Sequence, residues 1–198
     1  MWPLRKMEVR VSAGACLLVG WFAVVNGWHL TGLVLSAAAL HELGHLAALR
    51  LLGGAVTALR ISVFGAELAA EGGQLSYGRE LAAVLAGPLT NLLAGLALAR
   101  LGYPAAAGAH LVLCAFNLLP VRPLDGGRAL YLAAAWAAGP AAGEALCRWI
   151  GGCAALSLAT VLAWVMVRSG GSLWLLPAAV GLAMAGGREL LCENGKFL

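Results

Sequence analysis

His41-Glu42-Leu43-Gly44-His45 stands inside an apolar run from Leu30 to Leu52. On a helix, positions i and i+4 share a face, so the two imidazoles can grip one metal ion. The glutamate beside them can act as a base toward water activated by that ion. Ionisable groups at membrane depth are costly and mark functional sites. Each histidine alone would read as a satisfied interior residue. Together with Glu42, the pair points to metal-assisted hydrolysis of a peptide bond within a bilayer. Leu43 and Leu46 are expected to face away from the ion, with Gly44 leaving room beside it.

A catalytic zinc takes three protein ligands and keeps one position open. The extended form of the motif places a third histidine six residues after the second, where this chain has Leu51. The remaining donors are Asp125, Glu67, Glu71, His110, His29 and Cys114. Asp125 is the only aspartate in the chain and lies in the segment 117–128, NLLPVRPLDGGR. Backbone broken by prolines and glycines cannot face lipid and must pack in protein or line a cavity. Gly126 and Gly127 permit close approach beside the carboxylate. Asp125 is therefore the favoured third ligand, and its competing role is to cap a helix over 126–138. His110 reads as an interior hydrogen-bonded residue and His29 as an interfacial one. Glu67 and Glu71 read as solvated, or as lining a polar cavity.

These residues need a membrane scaffold to position them. The chain is 62% hydrophobic and 11% charged over 198 residues, whereas soluble domains carry about 25% charge. Apolar segments at 11–28, 30–52, 80–101, 104–119, 146–168 and 172–190 approach the ~20 residues that cross a hydrocarbon core. With the N-terminus in the cytosol, only Arg100 and Arg168 of the 13 basic residues fall outside. That asymmetry predicts a multi-pass membrane protein with both termini cytosolic. The first span is basic-led but no small-x-small cleavage site follows it, so it is expected to remain as an anchor. The five cysteines are scattered and imply no disulfide framework. Alternating apolar residues Leu59, Ile61 and Val63, followed by Gly72-Gly73, predict a membrane-associated β-hairpin within 55–78. A short helix over 129–138 should end at Gly139-Pro140. The expected fold is a single all-α transmembrane domain over 1–198. It has six spans, the hairpin between the second and third, and a broken segment after the fourth.

The chain resembles the site-2 protease family of intramembrane zinc metalloproteases. The resemblance rests on H-E-L-G-H at 41–45, on Gly87-Pro88-Leu-Thr-Asn91, and on Asn117-Leu-Leu-Pro120 followed by Asp125-Gly126. Their order and spacing match the family pattern over about residues 30–138. Within the family the chain is most similar to the compact stage IV sporulation FB type, a resemblance that adds the expectation of a bacterial cell membrane. Members of that type often carry a cytosolic CBS domain after the last span, and the sequence to Leu198 holds none. The resemblance implies one Zn2+ per chain held by His41, His45 and Asp125. It implies Glu42 as the proton carrier and Asn117 as a catalytic neighbour that donates to the carbonyl oxygen or holds substrate backbone. Gly87-Pro88 and Asn91 are expected to shape helix packing.

The expected substrate is a membrane-bound or membrane-associated regulatory protein, with the lipid bilayer as surroundings and a regulatory membrane partner as a further expectation. Nothing in the charge distribution points to nucleic acid. The hairpin edge could pair with a substrate helix that has unwound. Two other classes compete. A zinc transporter would need a second polar helix and a site open in turn to both sides, commonly built from repeats, whereas the sequence shows one metal motif, no repeat and no His-rich loop. An inactive scaffold that binds a membrane partner would not require Glu42.

Overall fold

A computed structural model describes residues 8–62, 65–71, 75–170 and 175–191. The chain divides into two compact units, residues 1–116 and 117–198.

The first unit opens with strand β1 (Glu8–Val11), followed by helix α1 (Ala13–Asn26). Ser12 caps α1, its hydroxyl accepting from the Ala15 N–H at 3.2 Å. Gly27, at φ +83°, turns the chain directly into α2 (Trp28–Leu51). That positive φ is why glycine stands between two apolar helices. Strands β2 (Ala55–Ser62) and β3 (Gly65–Glu71) pair antiparallel, with Arg60 opposite Glu67 and an irregularity between Val56 and Ala58. Residues 63, 64, 72 and 73, where the expected turn and glycine pair fall, lie outside the described residues. β1 was not anticipated. It pairs parallel with β2, Val9 opposite Leu59, giving the sheet order β1-β2-β3.

Helices α3 (Tyr77–Arg100) and α4 (Pro104–Asn117) complete the unit, joined across Gly102 at φ +82°. Interior contacts are made by small residues, among them Ala15, Ala23, Ala37, Ala83 and Ala107. In lipid, small side chains let helices approach closely. A side chain at Gly95 would overlap Leu111 of α4, its Cβ falling 2.7 Å from Cγ.

The second unit contains α5 (Asp125–Ala138), α6 (Pro140–Leu146), α7 (Gly152–Arg168) and α8 (Leu176–Leu191). Gly139 at φ +91° ends α5 and Pro140 begins α6, as the dipeptide predicts. One π-helical turn, Cys147–Gly151, links α6 to α7, so Pro140–Arg168 is one continuous helical run of 29 residues. The apolar core here is Val121, Ala155, Ala159 and Leu182.

Among the described residues, three helices are long and apolar enough to cross a membrane: Trp28–Leu51, Tyr77–Arg100 and Pro140–Arg168. The expected spans 11–28 and 104–119 contain helices of 14 residues each. At ~1.5 Å per residue these reach about 21 Å, short of a ~30 Å hydrocarbon core. The apolar helices make this an α-helical membrane protein that carries a small sheet.

Candidate metal centre

α2 brings His41 and His45 to one buried face, 4% and 9% exposed, while Glu42 between them is half-buried. The two imidazoles meet edge to face, centroids 4.6 Å apart, with Nε2 of each 3.0 Å from the other. Leu43, 56% exposed, turns to the opposite side of the helix as expected.

The imidazoles are held from behind by α3. His45 Nδ1 lies 2.9 Å from the Ala83 carbonyl oxygen. A carbonyl only accepts, so Nδ1 carries a proton, which in a neutral imidazole leaves the lone pair on Nε2. Gly87 packs flat on the same imidazole. A Cβ there would come within 2.6 Å of Cε1 and 2.8 Å of Cδ2, and nearer still to Nε2. Asn91, wholly buried, places Nδ2 3.3 Å from His41 Nδ1. Its Oδ1 is 3.0 Å from Nδ1 of His110 on α4.

One expectation changes here: Gly87 and Asn91 touch the histidine pair itself, beyond shaping helix packing. His110 is the interior hydrogen-bonded residue expected, and its partner is Asn91 of the same chain of hydrogen bonds. Gly44 is required by helix approach: its Cβ would stand 2.9 Å from the Ala86 carbonyl oxygen and collide with the Thr90 hydroxyl. Sequence spacing alone could not expose the partnership, because 50 residues separate Asn91 from His41. The available signal was Gly87-Pro88-Leu-Thr-Asn91.

In the second unit, Asp125 is the first residue of α5, and Leu124 occupies the N-cap. Leu124 makes no side-chain capping bond, and Asp125 stands one residue inside the position where the cap was expected. Loop 118–122 folds back onto the first turn of α5. A Cβ at Gly126 would overlap the Leu118 and Leu119 carbonyls, and one at Gly127 would lie 2.6 Å from the Val121 carbonyl carbon. The two glycines thus let the broken segment pack closely against the first turn of α5. Arg122 anchors this loop through Glu144 at 2.8 Å and Glu189 at 3.6 Å. Cys147 adds a bond to the Gly127 carbonyl at 3.4 Å. Asn117 is the last residue of α4.

By donor type, His41, His45 and Asp125 are a set that could hold a metal ion. Among the described residues, His29, His110 and Cys114 belong to no such set. His29 is exposed near the start of α2, and His110 and Cys114 are buried on α4. Glu67 and Glu71 stand on β3, paired with Arg60 and Ala55.

No protein-family model and no curated protein sequence matches the chain. Among solved structures it is similar to a site-2 protease from Methanocaldococcus jannaschii. The TM-score is 0.68 at 19% sequence identity, covering 100% of this chain and 97% of that one. The chain therefore has the site-2 protease fold along its whole length. The likeness supports the family-level fold and carries no support for the stage IV sporulation FB type.

Proposed function

With that fold as its frame, we propose that the protein is an intramembrane zinc metalloprotease. It hydrolyses peptide bonds of membrane-bound or membrane-associated regulatory proteins. The observation that carries the reading is the buried pair at 41 and 45. Two Nε2 atoms face each other at 3.0 Å, and the Ala83 carbonyl fixes one of them as a lone-pair donor. Two imidazole lone pairs at that separation suit a shared cation. Asp125 is proposed as the third ligand and fits as the single aspartate, held at the start of α5 by Gly126 and Gly127.

Bound zinc supplies Lewis-acid activation of water and of the scissile carbonyl. Glu42 accepts a proton from the attacking water on its carboxylate and later delivers it to the leaving amine. Asn117 donates its amide N–H to the carbonyl oxygen as charge develops there. A donor in that role contributes about 2.7–4 kcal/mol in the transition state. His45 lies seven residues before Leu52, about 10 Å along α2 at ~1.5 Å per residue, so water is proposed to enter from the side where α2 ends.

An unwound substrate segment is proposed to add to the sheet at β3, an outer strand in the order β1-β2-β3. The edge is probed by Leu68→Pro and Ala69→Pro on β3, since adjacent N–H groups alternate in direction and one of the pair points outward.

The direct test of function is Glu42→Gln, measured as cleavage of a membrane-tethered substrate in proteoliposomes beside zinc content. The enzyme loses turnover and keeps zinc. A transporter would retain metal flux, and a scaffold would show no change in either measurement.

A further inference from the structure

We propose that Asn91, seated on His110, is a positioning residue that sets the tautomer of His41 for metal binding. The inference rests on the zinc reading above. The geometry is a continuous buried chain: His110 Nδ1 to Asn91 Oδ1 at 3.0 Å, Asn91 Nδ2 to His41 Nδ1 at 3.3 Å, His41 Nε2 to His45 Nε2 at 3.0 Å, and His45 Nδ1 to the Ala83 carbonyl at 2.9 Å. Asn91 is 0% exposed and His110 6%, so the polar atoms in this chain satisfy one another and not bulk water.

These positions accept two arrangements of protons. In one, every hydrogen bond runs the same way, from His110 through Asn91 and His41 to His45 and Ala83. His41 then carries its proton on Nε2 and cannot offer that atom to a metal. In the other, His41 carries its proton on Nδ1, so that both rings present a lone pair on Nε2 to one ion. This second arrangement requires an acceptor beside His41 Nδ1. A half-turn of the Asn91 amide supplies it, bringing Oδ1 to His41 and Nδ2 to His110. His110 Nδ1 then accepts. An amide is suited to this place because it presents a donor and an acceptor that exchange by one rotation. His45 needs no such device, because the Ala83 carbonyl already fixes its tautomer. Metal ligation by His41 is thereby coupled to residues on α3 and α4 that touch no metal. Groups that orient a ligating histidine typically change metal affinity about 10–100-fold when removed.

The test measures Co2+ and Zn2+ affinity of the full chain in detergent by chelator competition, with the Co2+ visible spectrum and thermal unfolding recorded in parallel. Asn91→Leu removes the acceptor and should weaken binding about 10-fold or more. Asn91→Asp, whose oxygens both accept, should bind at least as tightly as the unsubstituted chain. A merely structural role would move both variants downward together, since Asp places a charge where Leu places none. His110→Gln keeps an acceptor for the turned amide and should stay within about 2-fold, while His110→Leu should fall by several-fold. This second pair carries the test if either variant at 91 fails to fold. Unchanged affinity and spectrum in Asn91→Leu, or loss of metal in Asn91→Asp, overturns the proposal and leaves the zinc reading standing. Failure of the unsubstituted chain to bind either metal overturns both.

Discussion

Gly87→Ala is the smallest change that reaches the proposed metal centre without touching a ligand. The added Cβ would fall 2.6 Å from His45 Cε1 and 2.8 Å from Cδ2, and closer to Nε2. Ordinary contact begins near 3.4 Å, so the imidazole or α3 must move by roughly 1 Å, a shift that overpacked cores resist at about 1–3 kcal/mol. The ring cannot slide freely, because Nδ1 is tied to the Ala83 carbonyl one turn earlier on the same helix. Breaking that bond would cost a further ~0.5–1.5 kcal/mol. A displacement of about 1 Å at a reacting centre can lower turnover about 100-fold. Gly32→Ala is the matched control: it lies on α2, and its Cβ would meet nothing within 4 Å. The assay pairs zinc content of purified protein with cleavage of a membrane-tethered substrate. The expected result is weakened zinc retention and a loss of turnover near two orders of magnitude in Gly87→Ala, with Gly32→Ala unchanged in both. Full zinc content and full turnover in Gly87→Ala would refute the geometry from which the effect is derived.

Other outcomes follow from the same structure. Gly126→Ala would press a methyl into the Leu118 and Leu119 carbonyls. Backbone cannot rotate away, so a loss of about 1–3 kcal/mol is expected, read as a lower unfolding temperature in detergent together with reduced zinc content. Gly139→Ala, at φ +91° in open surroundings, should destabilise by about 1–2 kcal/mol with zinc content intact, separating backbone strain from the site. Asn117→Ala should retain zinc and lower turnover about 100–1,000-fold; undiminished turnover would remove Asn117 from the chemistry. Stripping the metal with a chelator should lower thermal stability, by about 4 kcal/mol where free zinc had stood at 1,000 times its Kd. Readdition of zinc should restore both melting temperature and activity.

The histidine pair is the most legible part of the proposed site, because the spacing that puts two imidazoles on one helix face is itself the signal. His41 and His45 share a face by helical periodicity alone. Asp125 stood out as the single aspartate inside a stretch too broken to face lipid. Gly139-Pro140 marked a helix boundary that the structure reproduces. What sequence could not supply was tertiary. β1 is four residues long and pairs with β2 across all of α1 and α2, a distance over which no local pattern operates. Helix ends were misjudged where hydropathy runs past the hydrogen-bonded segment, as in α1 and α4, and where it begins late, as in the run from Pro140. Asn91 reads as helix packing and His110 as an interior hydrogen-bonded residue because neither sequence neighbourhood names a partner. Only the approach of α3 to α2, permitted by Gly44 and Gly87, turns them into neighbours of the histidine pair.

The central claim is a single zinc ion held by the second helix together with the aspartate that begins α5. Metal analysis of the purified full chain beside His41→Ala, His45→Ala and Asp125→Ala tests it most directly. One equivalent of zinc in the unsubstituted protein, lost or sharply reduced in each variant, is the result expected. Absence of zinc from the unsubstituted protein after incubation with the metal, or full retention in Asp125→Ala, would contradict it.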